Sequence, residues 1–352
     1  MKGAVFLGER KIELREFPDP TPGAGEVVLK MKASGMCGSD LHFYRAPRDQ
    51  GVAGMPGGPV GEPVIAGHEP CGVVAAVGPC VPEALAFPGM RVMVHHYKGC
   101  GACNYCREGW AQLCANKHTG FVVYGGTAHG GHAEYLKVQA STLVPLPDEL
   151  SFEVGAAISC GTGTAFAALR RMGVSGRDTI AIFGQGPVGL SATQLAKAMG
   201  ARVIALDVND ARLALAKDLG ADATINNRKD DPVAAIKELT RGEFAESTMD
   251  CSGNPDARLA AVRATRVWGT ACMVGEGNEL TLNVSADLLR RQLTLIGSWT
   301  FSATGLADCA RFIADRRIAA EQVFTDRYRL DEAVEAYRRF DTGNTGKGVF
   351  IM

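Results

Sequence analysis

Cys100, Cys103, Cys106 and Cys114 follow the spacing C-x2-C-x2-C-x7-C inside a glycine-containing segment, GCGACNYCREGWAQLC, that leaves no room for a core element. Four thiolates this close together fit a tetrahedral zinc ion in a structural site with no open position. An iron–sulfur centre, also built on four cysteines, and a pair of disulfides are the alternatives. A second pattern is Gly184-Gln185-Gly186-Pro187-Val188-Gly189, a G-x-G-x-x-G. Gly184 permits a tight turn, Gly186 lets the backbone approach a pyrophosphate, and Gly189 lets helix and strand pack closely. Pro187 and Val188 then open a helix whose N-terminus supplies partial positive charge. Asp207 lies 23 residues after Gly184, where a carboxylate hydrogen-bonds the ribose of NAD and repels the 2′-phosphate of NADP. Arg212, five residues further on, could meet such a phosphate, but an arginine in the helical stretch Asp210–Leu219 is more often a solvated surface residue. Three more potential ligands are dispersed: Cys37 in GMCGSDLH, His68 in GHEP and Cys160 in SCGT. No spacing rule gathers them.

These residues need elements to hold them. Strand Thr179–Phe183 runs into the glycine turn, and Pro187–Met199 carries apolar residues at helical spacing until Gly200 stops it. Further strands are read at Arg202–Leu206, Ala223–Ile225, Ser247–Cys251, Thr270–Val274 and Leu293–Ile296, alternating with helical patterns. Such alternation implies a doubly wound parallel sheet of six strands, an α/β Rossmann fold. Up to about Pro147 the chain shows short β-branched runs broken by glycine and proline, as in Glu26–Met31, Val73–Val77 and Arg91–Val94, so this part reads as irregular and mainly β. Helical patterns near Leu306–Ala314 and Asp331–Phe340 and a last strand, Gly348–Ile351, are too few for a third domain. They are assigned to the first. The expected division is residues 1–160 with 298–352, and 161–297 for the nucleotide-binding domain.

At 352 residues the chain exceeds one ordinary core. The formal net charge of -1 offers no footprint for nucleic acid or an anionic membrane. The N-terminus lacks an apolar h-region, and no apolar run is read as reaching bilayer length. A cytoplasmic protein is expected, in which eleven cysteines serve as metal ligands or small buried residues. All seven histidines lie at or before His132, so metal chemistry is expected in the first part of the chain.

Taken in order, the Cys-Gly-Ser-Asp-Leu-His and Gly-His-Glu segments, the four-cysteine loop, and the fingerprint ending in Asp207 resemble the medium-chain, zinc-dependent alcohol dehydrogenases, including the polyol and threonine dehydrogenases. The likeness runs over essentially the whole chain. Gly130–Tyr135, GGHAEY, is also similar. The resemblance implies a GroES-like catalytic domain beside the Rossmann domain, two zinc ions per subunit, and NAD. It implies Cys37, His68 and Cys160 as catalytic-zinc ligands, Glu69 as an acidic residue that approaches the metal, and Asp40 as the carboxylate orienting the imidazole. Ser39 would take the alcohol proton and His42 would pass it to solvent. A homodimer or homotetramer built through the nucleotide-binding domains is also implied.

The expected activity is reversible oxidation of a secondary alcohol or polyol to a ketone. A primary-alcohol dehydrogenase or aldehyde reductase is the alternative, and a non-catalytic zinc and nucleotide-binding protein a more distant one. Two features bear on substrate. The polyol and threonine enzymes typically carry glutamate where this chain has Cys160, whereas CGSDLH is closer to the polyol group. His95-His96-Tyr97 falls where the family places a pocket wall, and its polarity favours a hydroxylated substrate. Trp299 and Phe301 could border that pocket or serve as core or interface residues.

Overall fold

Val27, Leu29 and Met31 alternate along strand Glu26–Gly35 and bury themselves against Val74, Val92, Leu136 and Val138 of neighbouring strands. This period-two pattern makes Glu26–Gly35 the centre of the N-terminal sheet. The computed structural model describes residues 1–47, 64–343 and 346–352. It divides into one unit of Met1–Gly163 with Phe301–Met352 and another of Thr164–Thr300.

In the first unit a seven-stranded sheet runs Phe324–Arg329, Lys347–Ile351, Glu26–Gly35, Glu69–Val77, Arg91–Val94, Leu143–Pro145, with Tyr135–Gln139 also paired to Glu26–Gly35. The C-terminal strand is therefore built into the same sheet as the N-terminal ones. Its neighbour Ala333–Phe340 is a helix whose Ala336, Tyr337 and Phe340 join a core with Phe6, Met36, Tyr44 and Phe350. The cysteine segment contains only short turns, a single helical turn, Asn104–Arg107, and a 3₁₀ turn, Ala111–Leu113. The first buries no residue and the second only Gln112, so neither is a core element.

Residues 152–172 form a continuous 21-residue helical run with mean hydropathy 1.3 over its most apolar stretch. The sequence expectation of no run of bilayer length is corrected here, since alanine and glycine carry the apolarity across Ser159, Thr162 and Thr164. Most of that stretch, 78%, is buried within the protein, as in a core helix. The run is not uniform. Its middle, Ile158–Thr162, winds as a π-helical turn, a distortion that recurs at functional sites because it re-aims one side chain. Cys160 sits in it.

The second unit is the expected six-stranded sheet. Every pairing is parallel, and the order is Ala223–Asn226, Arg202–Asp207, Thr179–Phe183, Ala245–Asp250, Thr265–Met273, Thr294–Gly297. In strand sequence this reads 3-2-1-4-5-6, the doubly wound dinucleotide-binding order. The strands are longer than the sequence indicated at several ends, most at Thr265–Met273, where Val267 and Trp268 are exposed and Trp268 takes a left-handed φ of 63°.

Candidate functional site

Cys37, His68, Glu69 and Cys160 come from three places. Cys37 follows the end of strand Glu26–Gly35, His68 and Glu69 stand at the start of Glu69–Val77, and Cys160 lies in the π turn. One ligand atom from each falls within 4.8 Å of the others. The two thiols are 3.9 Å apart. The strand register explains part of the convergence, because Gly35 pairs across the sheet with Glu69. A Cβ on Gly35 would sit 1.8 Å from Glu69 Oε2, so the carboxylate occupies the space that a side chain would take.

Each donor has a partner that fixes it. His68 Nδ1 donates to Asp40 Oδ1 at 2.9 Å, leaving Nε2 directed at the cluster, where Ser39 Oγ lies 3.2 Å away. The Cys37 amide donates to Asp40 Oδ2 at 2.8 Å. Glu69 is wholly buried and meets Lys347, equally buried, with Nζ 2.6 Å from Oε1 and 2.5 Å from Oε2. Lys347 also donates to the Met36 carbonyl at 3.0 Å. Sequence reasoning missed Lys347. The available signal was Glu69 itself, since a carboxylate entering an apolar strand needs a counter-charge.

The electrostatics follow from burial and these contacts. The hydrogen bond from Cys160, stronger here than burial, holds the Cys37 thiol well below its ordinary value, and the same bond with burial pushes Cys160 well above. Burial alone would lower His68, but Asp40 outweighs it and holds the imidazole well above its usual range. For Lys347 burial is likewise outweighed, by Glu69 together with Cys37, and its ammonium is favoured, while burial pushes the Glu69 carboxyl up to about 8 against the pull of that ammonium. A divalent cation would relieve the whole group by accepting two thiolates and a neutral imidazole.

Of the other residues singled out in this unit, His42 is exposed one turn beyond Ser39 on helix Asp40–Arg45, and its amide donates to the Ser39 carbonyl. His95, His96 and Tyr97 are all buried. His95 is a packing residue, with ring nitrogens 3.2 Å from the Tyr97 carbonyl and 3.1 Å from that of Phe301. His96 differs. Its ring stands edge-on to His68 with centroids 5.1 Å apart, and Nδ1 is 3.1 Å from the Ser159 carbonyl. Burial and the neighbouring His68 hold His96 neutral, so Nδ1 carries the proton and Nε2 is an acceptor. Phe301 is fully buried against both histidines, while Trp299, in the other unit, is 41% exposed and bonds Glu276.

Cys100, Cys103, Cys106 and Cys114 form a second cluster of the same tightness. Cys100 and Cys106 sulfurs are 4.0 Å apart, and all eleven cysteines are free thiols, so the disulfide alternative falls. Amides of Ala102 and Cys103 point at Cys100 Sγ at 3.4 Å and bring its pKa down to about 6.

In the second unit, Gly184 has φ 88° and a Cβ there would meet Ser252 at 2.8 Å. A Cβ on Gly189 would lie 1.8 Å from the Gly184 carbonyl. Gly186 is the informative one. It has φ -74° and a Cβ there meets nothing within 4 Å, so neither conformation nor packing explains its bareness. Pro187 and Val188 start helix Pro187–Ala198, which has no side-chain cap on its first amides. Asp207, at the end of the adjacent strand, accepts from the Gln185 amide at 2.6 Å and the Asn209 amide at 2.9 Å.

The "Alcohol dehydrogenase GroES-like domain" family matches residues 23–148 and the "Zinc-binding dehydrogenase" family residues 187–315. An uncharacterized zinc-type alcohol dehydrogenase-like protein, YphC of Escherichia coli, is 41% identical over 99% of this chain and 98% of its own. The chain belongs to the zinc-dependent medium-chain alcohol and polyol dehydrogenases. Sorbitol dehydrogenase of Bacillus subtilis is 34% identical over 96% of this chain and 93% of its own. Among solved structures, the alcohol dehydrogenase TADH from Thermus sp. ATN1 superposes with a TM-score of 0.88 at 28% identity, covering 100% of this chain and 99% of that one. This medium-chain dehydrogenase is accordingly a zinc-dependent oxidoreductase of small alcohols or polyols, and zinc and NAD are the cofactors of its family.

Proposed function

We propose that the enzyme oxidises a secondary alcohol or polyol reversibly to the ketone with NAD, at a zinc held by Cys37, His68 and Cys160. The convergence of these donors with Glu69 within 4.8 Å carries the reading. The donor chemistry fits: two sulfurs and an imidazole nitrogen are zinc ligands, and three protein ligands leave a fourth position open to water or substrate. Cys100, Cys103, Cys106 and Cys114 would hold a second zinc whose four protein ligands leave no such position. Once bound, zinc supplies Lewis acidity toward an alcohol oxygen and NAD supplies the hydride acceptor.

The chain's own groups manage the proton and the geometry. Ser39 Oγ, 3.2 Å from the metal-facing nitrogen of His68, is set to take the alcohol proton. Serine is too weak a base to keep it. His42, one turn on and exposed, would pass it to solvent. Asp40 fixes the His68 tautomer, and Glu69 stands beside the donors with its charge balanced by Lys347. In the other unit Gly184, Gly186, Pro187, Val188 and Gly189 would receive the pyrophosphate. Asp207 would take the ribose hydroxyls and disfavour a 2′-phosphate.

A polar substrate is supported by His96, whose unprotonated Nε2 offers an acceptor beside His68 to a second hydroxyl. The test is NADH formation by the zinc-loaded enzyme on matched polyols, secondary alcohols and primary alcohols at alkaline pH. Turnover of none of them would sink the reading; preference for primary alcohols would replace ketone with aldehyde. Two zinc atoms per chain are expected in unstripped protein.

The partner we infer is a second copy along the edge strand Thr294–Gly297, near which Trp268 is 73%, Leu289 61% and Leu295 41% exposed. Sedimentation should give a dimer or tetramer. Eleven free thiols fit the reducing cytoplasm.

A further inference from the structure

Behind the metal cluster lies a line of buried polar groups that the proposed chemistry does not use. Tyr337 OH is 3.1 Å from Asp40 Oδ2, His132 Nε2 is 2.7 Å from Tyr337 OH, and Ser34 Oγ is 2.8 Å from His132 Nδ1. Ser34, Asp40, His132 and Tyr337 are all fully buried. The proton positions follow from chemistry. A carboxylate only accepts, so the Tyr337 hydroxyl donates to Asp40 and its oxygen accepts from His132 Nε2–H. His132 Nδ1 then bears a lone pair and accepts from the Ser34 hydroxyl. Burial keeps His132 neutral, with its pKa pushed down to about 4, as one N–H per ring requires. Every donor points the same way, toward the Asp40 carboxylate, which receives His68 Nδ1–H from the other side.

His132 also braces the His68 segment through the backbone. Its amide donates to the Ala66 carbonyl at 2.9 Å, and the Gly131 amide donates to that of Gly67 at 2.7 Å. Gly67 has φ 90°, and a Cβ there would meet the His132 ring at 2.3 Å. The ring therefore rests on the residue just before His68.

We propose that Tyr337 and His132 are positioning residues for the metal, holding Asp40 so that His68 keeps its Nδ1–H tautomer and directs Nε2 at the cluster. This rests on the reading of Cys37, His68 and Cys160 as ligands. An aligned chain of donors strengthens its last bond, here Tyr337 OH to Asp40 Oδ2, and so fixes in place the carboxylate whose other oxygen receives His68 Nδ1–H. A tyrosine that merely filled the core would be replaced by phenylalanine without effect on the metal.

The test uses the full chain with both zinc ions, followed by their transfer to a chromogenic chelator. The four-cysteine site is the internal control. Tyr337→Phe should speed release from one site roughly tenfold, within the ~10–100-fold range for partners behind a ligand, and leave the other unchanged. His132→Leu should do the same and His132→Gln, which keeps a donor toward Tyr337, should restore the wild-type rate. The His132 pair carries the test if Tyr337→Phe does not fold. Release from both sites at wild-type rates in Tyr337→Phe and His132→Leu would overturn the brace alone. A wild-type chain holding only the four-cysteine zinc would overturn the ligand reading and the brace with it.

Discussion

The two cysteine-bearing clusters are equally tight and differently made. The four-cysteine loop gathers its donors within 15 residues of chain, on single turns of helix with no buried residue in the first. Amides of the same loop, from Ala102, Cys103 and Asn116, point at its sulfurs. Cys37, His68, Glu69 and Cys160 are instead delivered by the core. Sheet register sets Glu69 over Gly35, a π turn presents Cys160, and Asp40 and Lys347 fix His68 and Glu69. Without a metal, the first cluster is held by amides of its own loop and by the burial of Cys114. The second is positioned by packing that exists without one, and it has an acceptor-rich surrounding in Ser39 and His96. The proposed structural site and the proposed reactive site differ in this way, and each can be broken separately.

The largest effect is expected from His68→Ala. Removing that ligand should cost activity on the order of 10⁴-fold, about 5 kcal/mol of transition-state stabilisation, because the Lewis-acid contribution is itself several kcal/mol. Metal content should fall by one per chain, with circular dichroism unchanged because the fold supplies the site and not the reverse. Activity within tenfold of wild type would remove the dispersed cluster from the chemistry. Cys106→Ser should behave in the opposite sense. Binding energy in such a loop is folding energy, so the thermal midpoint should drop by roughly 5–10 °C, a few kcal/mol. Turnover at 25 °C should stay within about tenfold. Loss of turnover with an unchanged midpoint would reverse the assignment of the two sites.

Acid probes the packing behind the dispersed cluster. Burial depresses the pKa of His132 to about 4. An unfolded chain binds that proton near 6.5, so the stability from keeping it neutral is complete above pH 6.5. As pH falls from there toward 4, the unfolded state gains a proton that the folded state refuses. The loss should be about 3 kcal/mol over that window, at ~1.4 kcal/mol for each step of one in pH. Denaturant midpoints for wild type and His132→Gln at pH 7 and pH 4.5 test this. The wild type should fall further, and parallel curves would mean that His132 is not held neutral.

How much of this could be read in the sequence depends on distance along the chain. The four-cysteine loop and the fingerprint are local patterns whose spacing is their geometry. The sheet was legible because alternating strands and helices permit few topologies. The dispersed donors could be named only by resemblance, since nothing in residues 37 to 160 states that a π turn will aim Cys160 back at Cys37. Lys347 and Tyr337 were invisible as site residues for the same reason: each meets its partner about 300 residues away, Tyr337 with Asp40 at a separation of 297 and Lys347 with Glu69 at 278. Tyr337 reads as one more apolar position on a helix face. Lys347 stands just outside the strand expected at Gly348–Ile351, where a lysine normally meets water.

The nucleotide site lies between these extremes and gives the smallest effect. Its glycines lie within six residues of chain, but Asp207 reaches them through the neighbouring parallel strand, Phe183 pairing with Leu206 and Asp207 following. Two of the carboxylate's acceptor positions are taken by the Gln185 and Asn209 amides, so it shapes the turn, and in the proposed role its remaining lone pairs would take the ribose hydroxyls. Asp207→Asn keeps the size but turns an NH2 toward one of those amides and removes the charge. KM for NAD should rise about tenfold, near 1.4 kcal/mol, while kcat with saturating NAD stays within about twofold. KM for NADP should rise less, because losing the negative charge removes repulsion of the 2′-phosphate as well. Unchanged KM for NAD would leave Asp207 as a residue that shapes the turn alone, and would make this motif as purely local as the cysteine loop.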